Sequence, residues 1–207
     1  MRRITFILIS IGLLFLSVKI FSRDFATSSF THVESDNSTV EKLLQQVNSI
    51  KKLVRNNPNY NEEIAFFIDM KIMSGKNRFF IYDLKNDSII DQGLVAHGLG
   101  SKIKVDGSQR FSNENSSFCT ALGKYSIGKS YQGKFGKAYK LYGLENTNNN
   151  AFMRNIVLHK FESVPYEEQQ SQICHSLGCP MVNETYYKRI EKLIDNSKKN
   201  IILDIYY

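Results

Sequence analysis

The sequence predicts a mostly β domain with a few peripheral helices, set behind an apolar N-terminal segment. Three observations carry this. After Pro58 the chain breaks into short runs rich in aromatic and β-branched residues, each bounded by Gly, Asn or Asp. Only two stretches repeat their apolar residues at helical spacing. The 207 residues are 42% hydrophobic and 23% charged with three prolines, a globular composition that leaves room for one domain with a real core.

Taken in order, Arg2 and Arg3 precede an apolar run over residues 4–18, closed by Lys19. A positive flank and a short apolar stretch form an export signal, since a comfortable membrane span needs about 20 apolar residues. Past it, only Ala26 has the small neighbours a cleavage site wants, so residues 1–21 read equally as a removed signal peptide or a retained anchor helix. Residues 22–38, rich in Ser, Thr, Asp and Asn, read as a tether. Val40, Leu43, Leu44, Val47, Ile50, Leu53 and Val54 then predict an amphipathic helix over 39–57, capped by Ser38 or Thr39 and ended by Asn57-Pro58. Packing on the main domain is the simpler use for its apolar face than docking a partner. The main domain is expected over 58–207, with strands at 64–70, 78–84, 89–97, 139–144, 155–159 and 201–206. Tyr186, Tyr187, Ile190, Leu193 and Ile194 mark a second amphipathic helix, with Asn183 as its cap.

The formal net charge of +7 favours an anionic neighbour, whether lipid, wall polymer or nucleic acid, and does not choose among them. One literal motif suggests nucleotides: residues 123–130, from Gly123 to Ser130, satisfy the phosphate-binding P-loop pattern. That loop works only when a helix follows and aims its N–H groups and dipole at phosphate. Residues 131–143 instead carry Gly133, Gly136 and Gly143 and no helical period, so they read as hairpin and turn. A P-loop-like nucleotide binder therefore stands as the rival class.

Cysteine usage leads elsewhere. An exported protein tends to pair its cysteines, yet this chain has three, Cys119, Cys174 and Cys179. Cys179 lies between Gly178 and Pro180, where a glycine turn can expose the sulfur and aim neighbouring N–H groups at a developing oxyanion. Cys119 and Cys174 read as buried structural thiols or as a disulfide pair. A thiol nucleophile needs a base, and His159 closes the apolar run Ile156-Val157-Leu158, where a strand delivers its imidazole to the sheet edge. A histidine so placed is on its own more often a structural hydrogen-bonder.

His159 followed by Ser176, Gly178 and Cys179 resembles the signature of YkuD-type L,D-transpeptidase catalytic domains, in which a histidine precedes a Ser/Thr-His-Gly-Cys element by about fifteen residues. Here sixteen residues separate His159 from Ser176. Phe111-Ser112-Asn113, Ser116-Ser117, Leu122-Gly123-Lys124-Tyr125, residues 139–145 and residues 154–159 resemble the subfamily whose motif ends Gly-Cys-Pro. Two departures stand out: Leu177 replaces the second histidine of the commoner signature, and Met181 replaces an arginine that many members carry.

The resemblance implies a β-sandwich-like fold, peptidoglycan stem peptides as donors, Cys179 as nucleophile and His159 as base. It implies Ser176, Leu177 and Gly178 as residues shaping the oxyanion site, with His97, Asn113, Ser117, Tyr125 and Arg154 as candidates for the substrate cleft. An amine acceptor would give transpeptidation, and water would give carboxypeptidase or endopeptidase activity. No cofactor, metal or nucleic acid is called for: Cys174, His175 and Cys179 lack the paired spacing of a zinc site. The expected location is the periplasm or cell envelope, with inner-membrane association through the N-terminus. A catalytically inactive wall-binding module is disfavoured, because both reacting residues are present.

Overall fold

The computed structural model describes residues 37–207; the predicted export segment and nearly all of the tether lie outside the described residues. Helix α1 (Asn37–Arg55) comes first and stops ahead of Asn57-Pro58. Leu43, Val47, Ile50 and Val54 form its buried stripe, packed with Ala65, Phe67, Phe80, Tyr82, Ile202 and Tyr206. The alternate residues Phe66 and Ile68 of β1 (Tyr60–Asp69) enter the main core instead. Strand β1 is thus buried on both faces, which is why its apolar run is continuous from Ile64 to Ile68.

The strands that follow are β2 (Phe79–Asp83), β3 (Ser88–Gly93), β4 (Val95–Ala96), β5 (Gly123–Gly133), β6 (Gly136–Gly143), β7 (Val157–Lys160), β8 (Met181–Val182) and β9 (Asn200–Tyr206). They form one nine-stranded sheet in the order β3-β2-β1-β9-β5-β6-β7-β8-β4. Neighbours are antiparallel except β1 with β9 and β7 with β8. The sheet bends on itself. Phe79 and Ile81 of β2 share one core with Val95 of β4 and Val182 of β8, and Arg78 at the mouth of β2 donates from Nε and Nη2 to the Val95 carbonyl. Helix α2 (Glu184–Asn196) sends Tyr186, Tyr187 and Ile190 into the same core. Each such side chain, taken from water, contributes roughly 1.5–3 kcal/mol. The chain is mostly β with two helices, as the aromatic and β-branched runs predict, and Asn183 caps α2 by accepting from the Thr185 N–H.

Helix α1 is described from Asn37 and ends at Arg55, not over 39–57, so Ser38 and Thr39 lie within it instead of capping it, and two strands also differ from the sequence reading. The expected strand over 89–97 is two, because β3 pairs with β2 whereas β4 pairs with β8 at the far end of the sheet. The expected strand over 155–159 begins at Val157, because Asn155 adopts the left-handed conformation at φ +56°. The P-loop-like stretch lies inside β5, where residues 123–127 and Ser130 pair with β9 or β6, Gly128 and Lys129 stand at a register irregularity, and the strand runs into a hairpin at Lys134-Phe135. Its N–H groups do not converge on an anion, which removes the physical basis of the nucleotide reading. Among the described residues no helix is long and apolar enough to cross a membrane.

Candidate active site

Cys179 is presented by a turn fixed at both sides. Ser176 forms a bridge to Gly98: its N–H donates to the His97 carbonyl at 2.9 Å and its carbonyl accepts from the Leu99 N–H at 2.8 Å. The Ser176 hydroxyl accepts from the Gly178 N–H at 3.0 Å. Gly178 sits at φ +120°, where a Cβ would come within 2.9 Å of the Cys119 carbonyl oxygen. The chain then enters β8, beside β7. There the Cys179 sulfur accepts from the Val157 N–H at 3.4 Å and donates to the Asn155 carbonyl at 3.6 Å. The left-handed Asn155 aims that carbonyl at the thiol, a conformation that Asn tolerates better than most residues. Gly178 therefore shapes the turn, but its own N–H is spent on Ser176, so it does not donate to an oxyanion. The Cys179 N–H has no hydrogen-bond partner among the described residues. Leu177 stands next to it, largely exposed.

His159 lies on β7, opposite Met181 of β8 and Ala138 of β6. It is nearly buried, with its ring stacked on Phe135 of the β5–β6 turn at 5.0 Å between centroids. Its Nδ1 meets the Lys160 carbonyl at 2.9 Å. A carbonyl only accepts, so Nδ1 carries the proton and Nε2 keeps the basic lone pair. Burial pushes the imidazole below its ordinary range. Burial also pushes the Cys179 thiol up, against the Val157 N–H and the charges of Arg154 and Lys140. Both shifts favour the uncharged forms of thiol and imidazole, and no hydrogen bond joins the two side chains.

The other expected site residues divide between support and core. Arg154 donates to the carbonyls of Ser112 at 2.9 Å and Cys119 at 2.6 Å and to the Ser117 hydroxyl at 3.3 Å, tying the 111–120 loop to the segment that enters β7. Asn113 clasps the same loop to Asn146, Asn149 and Asn150. Tyr125 was expected at the cleft, but it is fully buried and donates to the Ala121 carbonyl at 2.7 Å, because its position on β5 faces the core. His97 is likewise interior. Its Nδ1 accepts from buried Arg78 at 2.8 Å, and desolvation, Arg78 and His175 together push it down to about 3. It therefore stays neutral and braces the strand that pins Ser176.

Sequence reasoning missed Phe135, Asn155 and Lys140. Phe135 carried only the signal of a Gly-bounded hairpin, and Asn155 the signal of an Asn before a strand. All three cysteines are free thiols: Cys119 is buried and Cys174 partly so. Among the described residues no group of three or more His, Cys, Asp or Glu could hold a metal. A surface depression of about 590 Å³, lined by residues such as Pro58, Ser126 and Lys199, contains neither Cys179 nor His159.

Residues 34–203 match the L,D-transpeptidase catalytic domain family YkuD_2. No curated protein is similar enough in sequence to count as a match. Similar solved structures include the Ldtfm-avibactam carbamoyl enzyme, 9% identical over 71% of this chain and 50% of that one, with a TM-score of 0.43. An L,D-transpeptidase from Mycobacterium smegmatis is 9% identical over 70% of this chain and 59% of its own, at 0.40. The helical cell shape determining protein Pgp2 (K307A mutant) from Campylobacter jejuni is 11% identical over 69% and 46%, at 0.45. The chain spans about half the length of these proteins.

Proposed function

The chain belongs to the L,D-transpeptidase catalytic domain family, and from that premise we propose that it is an exported cysteine enzyme acting on peptidoglycan stem peptides by acyl transfer through Cys179. The observation that carries the reading is the placement of the sulfur between the Val157 N–H and the Asn155 carbonyl, two residues upstream of β8 and beside the strand that bears His159. In the reaction His159 Nε2 takes the thiol proton when bound peptide draws the pair together, since catalytic hydrogen bonds tighten in the substrate complex. The thiolate attacks the carbonyl of the L-centre that precedes a terminal D-residue. The Cys179 N–H donates to the tetrahedral oxyanion. The carbon–nitrogen bond then breaks, the amine leaves with the proton held by His159, and a thioester remains on Cys179.

An amine acceptor resolves the thioester into a crosslink or attaches another polymer, whereas water gives a carboxypeptidase or endopeptidase. The proposed location is the periplasm or cell envelope, with membrane association through residues 1–21. A wall-binding module without activity fits less well, because a shaped thiol and a base of fixed tautomer serve no binding purpose.

The test is turnover of stem tetrapeptides. Cys179→Ser and His159→Ala should each abolish it while the fold persists, and the double variant should be little worse than either, since the two act as a unit. Iodoacetamide adducts located by mass spectrometry should fall on Cys179. Full activity of Cys179→Ser, or an adduct on Cys119 in its place, would end the cysteine-enzyme reading.

A further inference from the structure

The outer face of the sheet around the thiol is built, and the acyl-transfer reading does not use all of it. Residues paired across strands share a face, so Tyr131 and Ala138 lie on the same side as His159, and Lys140 on the same side as Val157, whose N–H meets the Cys179 sulfur. Tyr142, two residues along β6 from Lys140, stacks on Phe152 at 5.4 Å and 11°. Gly128 makes that possible, because a Cβ there would meet the Tyr142 ring at 2.2 Å. The Lys140 ammonium is held 4.7 Å from the centre of the Tyr131 ring and 5.6 Å from that of Phe152. All three rings are substantially exposed.

The Lys140 ammonium combines a place beside Val157 with the lack of an acceptor among the described residues. Most nearby cations are spent: Lys160 pairs with Glu184, Lys137 with Glu191 and Asp195, Lys124 with Glu145, and Arg154 with two carbonyls and a hydroxyl, whereas Lys134 lies over Phe135 at the β5–β6 turn, beyond the strand position paired with Val157. The Lys140 side chain makes no ion pair or hydrogen bond among the described residues. Aromatic faces attract an ammonium and fix its position, but they leave its three N–H donors unmet. An anion at that point would gain charge-assisted hydrogen bonds from a group already in place. The charge also reaches the thiol, on which it acts in the direction that favours thiolate.

Building on the acyl-transfer reading, we propose that Lys140 selects the donor peptide, taking the terminal carboxylate of the D-residue that the thiolate expels, with Tyr131, Tyr142 and Phe152 as the wall along which that end lies. The dimensions agree. Strand β6 is two spacings from β8, about 10 Å, which a lysine stem and one residue of about 3.8 Å bridge together. A carboxylate one residue beyond the scissile carbonyl is the anion that every donor of this type carries.

The experiment compares two donors on the full chain: a stem tetrapeptide ending in a free carboxylate and the same peptide ending in a carboxamide. The wild-type protein should prefer the carboxylate by roughly 10-fold or more in kcat/KM, the scale of a hydrogen bond to a charged group. Lys140→Met should bring that ratio close to one by raising KM for the carboxylate donor, and Lys140→Arg should keep it. An unchanged ratio in Lys140→Met, an equal loss on both donors, or no preference in the wild-type protein overturns the assignment and leaves acyl transfer standing. Absence of turnover of either donor by the wild-type protein overturns acyl transfer itself.

Discussion

Replacing Gly178 with alanine isolates what the turn does for the thiol. Gly178 sits at φ +120°, and an added Cβ would lie 2.9 Å from the Cys119 oxygen, 3.0 Å from Ile156 Cδ1 and 3.3 Å from Arg154 Nη2. The backbone conformation alone costs a side-chain-bearing residue about 1–3 kcal/mol. The contacts add to this, because the Cys119 carbonyl is backbone and already accepts the shortest Arg154 hydrogen bond at 2.6 Å. A total of about 2–4 kcal/mol, with a domain of this size losing roughly 2–4 °C per kcal/mol, places the fall in Tm at about 4–16 °C. The chain can also relieve the clash by turning Cys179 away from Val157 and Asn155, and a displacement of about 1 Å costs on the order of 100-fold in rate. Thermal melting and single-turnover acylation of Cys179 read the two effects separately. Gly107→Ala is the control: at φ +79° with nothing within 4 Å, it carries the conformational cost without the clash and lies away from the thiol. A Gly178→Ala protein with wild-type acylation and a Tm no lower than that of Gly107→Ala would refute the account of the turn.

The pH profile and the P-loop-like strand give two further tests. Burial lowers His159 from its ordinary 6.5 and raises Cys179 from its ordinary 9.0, and the reactive state holds one proton between them. Activity should therefore be lost on the acid side only below 6.5, as the imidazole protonates, and on the alkaline side only above 9.0, as the thiol loses its proton. An alkaline limb below 9.0 would point to a preformed thiolate–imidazolium pair, and an acid limb above 6.5 would contradict the lowered imidazole. For Gly123 to Ser130, calorimetry with ATP and magnesium should show no saturable binding, because most of that stretch pairs with β6 or β9; micromolar affinity lost in Lys129→Ala would contradict the strand assignment.

The features legible in the sequence were those encoded over a few neighbouring residues. The α1 stripe from Leu43 to Val54 and the α2 stripe behind the Asn183 cap follow from a 3.6-residue period, and the longer strands follow from aromatic and β-branched runs. Gly178-Cys179 advertised a turn with a thiol at its tip, and the absence of a helix after Ser130 already argued against phosphate binding. Strands β4 and β8 were not legible, since two residues hold no period and exist only because each is the other's partner. Tyr125 shows the same limit, because only the strand's orientation in the sheet decides whether an aromatic residue lines a cleft or fills a core.

What the sequence determined by itself is the pair of candidate reacting groups, a thiol behind a glycine and a histidine at the end of an apolar strand, because residue identity and local spacing fix those. Tertiary structure decided how they are used. The parallel pairing of β7 with β8 brings Val157 and Asn155 to a sulfur more than twenty residues away in the chain, the Lys160 carbonyl and the Phe135 ring set the tautomer and burial of His159, and Ser176 takes the Gly178 N–H. The antiparallel pairing of β6 with β7 sets Lys140 beside Val157, its ammonium without an acceptor among the described residues. Such relations depend on long-range register and on which hydrogen-bond donors are already spent, and neither is written in any short stretch of chain.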